Sequence, residues 1–198
     1  MHSAQLIYLG DLRLTLALAA AVFVWLLAAQ AYRVAVYWCL AAGSAFGVVA
    51  ASKIMYMGWG LQVSLVDFKA LSGHAAGAAA VLPVVLYLVS KSYGHNKNFF
   101  ALLGGWLLSV AVACALVINE EHSASEAFAG WSCGTLASSG TLMKMRKTRI
   151  QPPHASLAGA LVTAVLISAC IEIVPVGWWM INIALALSGA RRIHAWSE

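Results

Sequence analysis

Two histidines stand where a polar stretch turns apolar. His74 closes the run Leu71-Ser72-Gly73-His74, and an Ala-Ala-Gly-Ala-Ala-Ala tract follows it. If that tract is helical, Ser72, Gly73 and His74 lie at its N-terminus, where open backbone N–H groups and the helix dipole favour an anion. A serine hydroxyl there can hold a phosphoryl oxygen, and a histidine can move a proton near neutral pH. His122 precedes Glu126 by four residues, so the two share a face if His122 lies in the first turn of a helix. A carboxylate bonded to one imidazole nitrogen fixes the tautomer and raises the basicity of the other, as a nucleophilic or general-base histidine requires. Each pattern also has a plain reading: Ser72 as the N-cap of an ordinary membrane helix, and His122 and Glu126 as separate solvated side chains.

The elements that must position these groups are read from the apolar segments. Of the 198 residues, 62% are hydrophobic and 10% charged, against about 45–50% apolar and about 25% charged in soluble domains. The apolar runs are continuous, not alternating, so they predict helices and not barrel strands. The expected fold is all-α, a polytopic membrane bundle of six to seven transmembrane helices in one integral membrane domain, residues 1–198. After a lead over residues 1–11, spans are expected at 12–31, 34–52, 72–90, 99–118, 125–143 and 154–173, with a short seventh at 176–190 beyond Pro175. Lys53 opens a loop that runs to Leu71 and holds Asp67 and Lys69. No cleavable signal peptide is expected, since the first apolar run lacks a basic lead. Cys39, Cys114, Cys133 and Cys170 fall inside apolar segments without metal or disulfide spacing, which predicts buried packing residues.

Loops must alternate sides. Lys53, Ser72–His74 and the stretch 120–126 then share one side with Asp11 and Asp67, while Arg33, Lys91, Lys97 and the cluster Lys144, Arg146, Lys147 and Arg149 share the other. The second side is wholly basic, so the positive-inside rule makes it cytoplasmic and turns the histidines toward the periplasm or exterior of a bacterial inner membrane. Arg191-Arg192 would return to the cytoplasm after a seventh span. The net charge of +5 belongs to orienting loops and does not point to nucleic acid.

Lys53, then Ser72-Gly73-His74, then His122-x-x-x-Glu126 resembles the type-2 phosphatidic acid phosphatase superfamily of membrane lipid phosphatases, whose pattern is K-x6-R-P, P-S-G-H and S-R-x5-H-x3-D. The order, the placement at helix ends and the common face agree, and Ala129-Gly130-Trp131-x-x-Gly134 is similar to the small-residue helix after the third motif. The resemblance covers residues 53–134, within a phosphatase-like core of about 34–143 flanked by helices 12–31 and 154–190. The chain departs from the pattern in several places. Gly60-Leu61 stands for Arg-Pro, Leu71 for the proline, Ala115-Leu116 for Ser-Arg and Glu126 for the aspartate. Both family arginines, bidentate donors to phosphate that lysine does not match, are absent.

The resemblance implies a metal-independent lipid phosphatase or phosphotransferase with no cofactor. His122 would attack phosphorus and form a phosphohistidine, Glu126 would orient it, and His74 would protonate the leaving group and then activate water. Lys53, Ser72 and the Gly73 N–H would hold the phosphoryl oxygens, with Lys69 as partial compensation for the arginines. The partners would be the bilayer and an amphiphilic substrate from the outer leaflet, an isoprenoid diphosphate or a phosphatidyl phosphate. Two alternatives stand beside this. One is a catalytically weakened relative that binds or carries a lipid. The other is a cation-binding membrane protein or transporter built on Glu120, Glu121, His122 and Glu126. Oligomeric state is not encoded in any motif.

Overall fold

The computed structural model describes residues 3–93, 98–148, 159, 162–167 and 176–195. Every regular element among them is helical, apart from an isolated bridge between Val63 and Phe68. The order is α1 (Ser3–Ile7), a 3-10 turn (Tyr8–Gly10), α2 (Leu12–Ala28), α3 (Tyr32–Trp59), a second 3-10 turn (Ser64–Val66), α4 (Gly73–Ser92), α5 (Asn98–Ile118), α6 (Ala124–Lys147) and α7 (Val176–Ser188).

Helix α4 sits at the centre and packs on α2, α3, α5 and α6. Its alanine tract makes this possible: Ala75, Ala76, Ala78, Ala79 and Ala80 are fully buried, and small side chains let backbones approach closely. The partners match. A Cβ on Gly130 would collide with the Ser72 carbonyl, and one on Gly134 with the Ala76 carbonyl. The two glycines singled out in the sequence are therefore the contact line between α6 and α4.

Helices α3, α4 and α5 are long and apolar enough to cross a membrane. Val36, Leu40 and Val48 of α3 and Leu103, Leu107 and Val110 of α5 are exposed. An apolar surface of that extent is unfavourable in water and suits hydrocarbon. The molecule is an all-helical membrane protein. Cys39 and Cys114 lie on these outward surfaces and Cys133 is half-buried, which corrects the expectation that they are buried packing residues. A thiol is apolar enough to face lipid. Cys170 and most of the expected span 154–173 lie outside the described residues, as do Lys97 and Arg149.

The helix limits agree with the sequence reading except at two places. Helix α3 continues past Ser52 to Trp59, so Lys53 lies inside it and does not open the loop. The extension is held by burial of Tyr56 and Met57 in a cluster with Ala70 and Ala184. It ends at Gly60, whose φ of 65° is open to glycine and whose N–H donates to the Tyr56 carbonyl. The second difference is α7. Val176 and Met180 lie in a pocket with Val49 and Lys53, Ala184 and Ser188 pack at Gly58, and the His194 N–H donates to the Met57 carbonyl at 2.9 Å. Helix α7 therefore runs beside α3 in the same direction. Its thirteen residues cover about 20 Å, short of a hydrocarbon core of about 30 Å. Arg191-Arg192 thus ends beside the Lys53 end of α3 and not at the opposite face, a correction to the expected seventh crossing.

Candidate functional site

The turn between α5 and α6 is built by two local motifs. The Glu121 N–H donates to the Leu116 carbonyl at 3.0 Å and the Glu120 N–H to the Val117 carbonyl at 3.1 Å. This Schellman arrangement puts Glu120 in the left-handed region at φ 57°. A capping box then starts α6. The Ser123 hydroxyl accepts from the Glu126 N–H, and the Glu126 carboxylate accepts from the Ser123 N–H. His122 is the residue just before this cap.

Glu126 accepts more than its capping bond. Its Oε2 also lies 2.8 Å from His122 Nδ1. Its Oε1 accepts the Lys69 N–H at 2.9 Å and the Ala70 N–H at 3.2 Å. Its own carbonyl accepts the Ser72 N–H at 3.2 Å, and the neighbouring Ser125 hydroxyl donates to the Val66 carbonyl at 2.8 Å. Three backbone N–H groups and His122 Nδ1 converge on one buried side chain, an arrangement that fits an ionised acceptor. Glu126 therefore ties the 60–72 loop to the head of α6 while it orients His122. With Nδ1 engaged, Nε2 is the ring nitrogen left for chemistry.

His122 and Glu126 open on a cleft of about 380 Å³ whose walls include Lys53, Asp67, Lys69, Glu120 and Glu121. The Lys69 ammonium also lies 5.8 Å from the Tyr56 ring centroid. Lys53 is shared. It lines the cleft and also an adjoining pocket of about 230 Å³ that holds Gly73 and His74 among apolar side chains of α2, α3 and α7. The charged or titratable groups whose fields reach His74 are Asp11, Glu121, His122 and Lys53.

The structure thus gathers Lys53, Lys69, His122 and Glu126 in one cleft and places Gly73 and His74 just beyond Lys53. The two histidine rings face neighbouring cavities joined at Lys53. Ser72 lines neither. It is fully buried, and its hydroxyl accepts the Ala75 N–H at 3.4 Å as the N-cap of α4. The plain reading of the serine describes its contacts here. Three contributors were not singled out in the sequence: Ser123, and the backbone amides of Lys69 and Ala70. Ser123-x-x-Glu126 is a legible capping-box pattern, whereas no side-chain motif announces a loop amide.

The places where the family pattern has arginine are occupied by structural residues. Gly60 is the left-handed cap of α3, and a Cβ there would sit 3.0 Å from the His194 ring. Ala115 and Leu116 are buried in an apolar cluster with Ala75, Ala78 and Val112. Two lysines face four carboxylates in the cleft. Among the described residues no three His, Cys, Asp or Glu side chains are grouped as metal ligands.

No family model matches the chain, and no solved structure matches it. A curated relative does: an "Uncharacterized 22.5 kDa protein in cps region" of Klebsiella pneumoniae, 32% identical over 170 residues, which make up 85% of this chain and 78% of that protein. At that identity and coverage, the chain belongs to the family of this cps-region protein.

Proposed function

We propose that the protein is a membrane lipid phosphatase or phosphotransferase that acts on an isoprenoid diphosphate or phosphatidyl phosphate through a phosphohistidine. The observation that carries the reading is the His122–Glu126 pair, 2.8 Å apart, in a cleft walled by Lys53 and Lys69. His122 Nε2 attacks phosphorus and the bond from phosphorus to the lipid-side oxygen breaks. His74 gives that oxygen a proton. Water then attacks the phosphohistidine, passes its proton to His74, and phosphate leaves with His122 restored. In-line displacement puts the leaving oxygen on the far side of phosphorus from His122. His74 lies on that side of Lys53, which supports its role as the acid. Lys53 and Lys69 oppose the phosphoryl charge.

The reading includes six crossings with the site outside the cytoplasm. Gly10 packs on His74 and residues 189–195 lie by the end of α3, so the described ends of the chain share the site face. That parity requires an even number of crossings, and α6 supports counting itself among them by exposing Phe128, Leu136 and Met143. The opposite end carries Arg33, Lys91, Lys144, Arg146 and Lys147 and no acid among the described residues, whereas the site end mixes Arg13, Lys53, Lys69, Arg191 and Arg192 with aspartates and glutamates. The wholly basic end is the cytoplasmic one in this reading. The relative's place in a cps region fits work in the cell envelope.

The test is phosphate release by purified protein from a panel of lipid phosphates and diphosphates, with His122→Ala as control. Release that disappears in the variant supports the enzyme. Silence from folded protein across the panel removes it and leaves the second reading, a relative that binds lipid without turning it over. That reading is favoured by the occupied arginine positions, Gly60 and Leu116. Cation binding at the cleft carboxylates has charge in its favour but no grouped ligand set among the described residues, and chelator sensitivity tests it.

A further inference from the structure

We infer that the pocket shared by Lys53 and His74, walled by α2, α3 and α7, receives the first part of the substrate's hydrocarbon chain, with the lipid's head directed across Lys53 into the cleft. The inference rests on the lipid-phosphate reading for the identity of the head group.

The argument starts from polarity. The cleft at His122 is walled mostly by charged side chains. The pocket on the other side of Lys53 is walled by Leu16, Phe46, Val49 and Met180, with His74 as its other titratable group. One lysine therefore stands on the boundary between a polar and an apolar cavity, at the membrane end that carries the candidate nucleophile. An anionic amphiphile has that same division, with a charged head joined directly to a chain. The charge of Lys53 selects the anion, and the apolar walls keep the first carbons out of water, which is favourable for apolar surface.

Reaction geometry gives the same direction. The leaving oxygen carries the lipid chain and must lie opposite His122 across phosphorus. A chain placed in this pocket puts that oxygen beside His74. A chain placed in the larger apolar groove of about 560 Å³ between α5 and α6 does not. That groove is lined by Ala124, Phe128 and Trp131 of α6, on the opposite side of α6 from Glu126 at about 100° per residue. A chain there would leave the lipid-side oxygen remote from His74. Helix α7 also gains a purpose. Too short to cross hydrocarbon, it supplies Val176 and Met180 as the outer wall of the pocket.

The experiment maps the chain directly. Full-length His122→Ala protein in phosphatidylcholine nanodiscs is labelled with octyl phosphate that carries a diazirine at mid-chain, and with the matching octyl alcohol. The phosphate probe should place adducts on Phe46, Val49 or Met180, and the alcohol, or Lys53→Gln protein, should give about tenfold fewer, the loss expected for one charge-assisted hydrogen bond. Ala50→Phe should suppress the adducts by filling the pocket, and Met180→Trp fills it from α7 if the first variant does not fold. Adducts concentrated on Val117 and Phe128, which line the α5–α6 groove, or equal labelling by phosphate and alcohol, would overturn the assignment. Phosphate release by the parent protein is scored separately. Release with adducts elsewhere removes only the chain pocket. Adducts in the pocket without release support it and remove only the hydrolysis.

Discussion

Glu126 holds His122 by Nδ1 with one carboxylate oxygen and the Lys69 and Ala70 amides with the other. Orientation of the histidine and closure of the 60–72 loop therefore depend on the same side chain. Two substitutions separate the roles. Glu126→Ala leaves two loop amides unpaired and should destabilise the protein by about 2–4 kcal/mol. Glu126→Gln keeps an oxygen for those amides but turns an NH2 toward Nδ1. That forces the imidazole proton onto Nε2 and removes the nucleophilic lone pair. The same NH2 faces the Ser123 N–H and removes its capping acceptor. The variant should therefore be destabilised by about 1 kcal/mol, less than Glu126→Ala, and lose turnover by on the order of a hundredfold or more. Denaturant unfolding and phosphate release, measured on both variants, check the split; equal turnover in parent and Glu126→Gln would remove His122 as nucleophile.

Glu120 pays a conformational penalty at φ 57°. Glu120→Gly should stabilise the protein by about 1 kcal/mol, because glycine enters the left-handed region freely. It also takes one negative charge from the cleft, so inorganic phosphate should bind more tightly. Thermal unfolding and phosphate titration test the two effects independently.

Restoring the family arginines should fail. Gly60→Arg needs a left-handed backbone and meets the His194 ring, and Leu116→Arg puts a charge where Leu116 is 0% exposed. An unpaired buried charge costs several kcal/mol. Both variants should lose folded yield in size-exclusion chromatography, with no gain in turnover. A folded Leu116→Arg protein with raised activity would show that a side chain at position 116 reaches the cleft.

Gly134→Leu should separate α6 from α4. Its Cβ alone would meet the Ala76 carbonyl, and overpacking costs about 1–3 kcal/mol or more where the neighbour is backbone. Helix α6 carries Glu126, so the variant should also loosen His122. Faster hydrogen exchange at the amides of Lys69 and Ala70 would report that loosening, and unchanged exchange would show that the head of α6 is held independently of its middle.

Much of this was legible in the sequence. The starts of α4 and α6 were marked by Ser72 and by the polar run before Ser125, and strict loop alternation brought Lys53, His74 and His122 to one end. Three things were not. The α3 extension past Lys53 depends on Tyr56 and Met57 meeting Ala184, a contact over a hundred residues away in sequence that no local pattern encodes. The direction of α7 was misread because length alone cannot distinguish a short crossing from a helix laid beside another. The burial of Ser72 followed from the close approach of Gly130, which turns a hydroxyl available in principle into a cap enclosed by a neighbouring backbone.

The burial of α4 has a consequence for how the protein is made. Its alanines are sealed by neighbouring helices, and α5 is the more apolar of the two segments. A segment rich in alanine partitions into lipid less strongly than one rich in leucine and phenylalanine. During synthesis α4 should therefore insert less strongly than α5, so that its retention depends on α5 and α6, which emerge after it. A chain truncated after residue 93 should expose α4 to quality-control proteolysis, and one that continues through α6 should not.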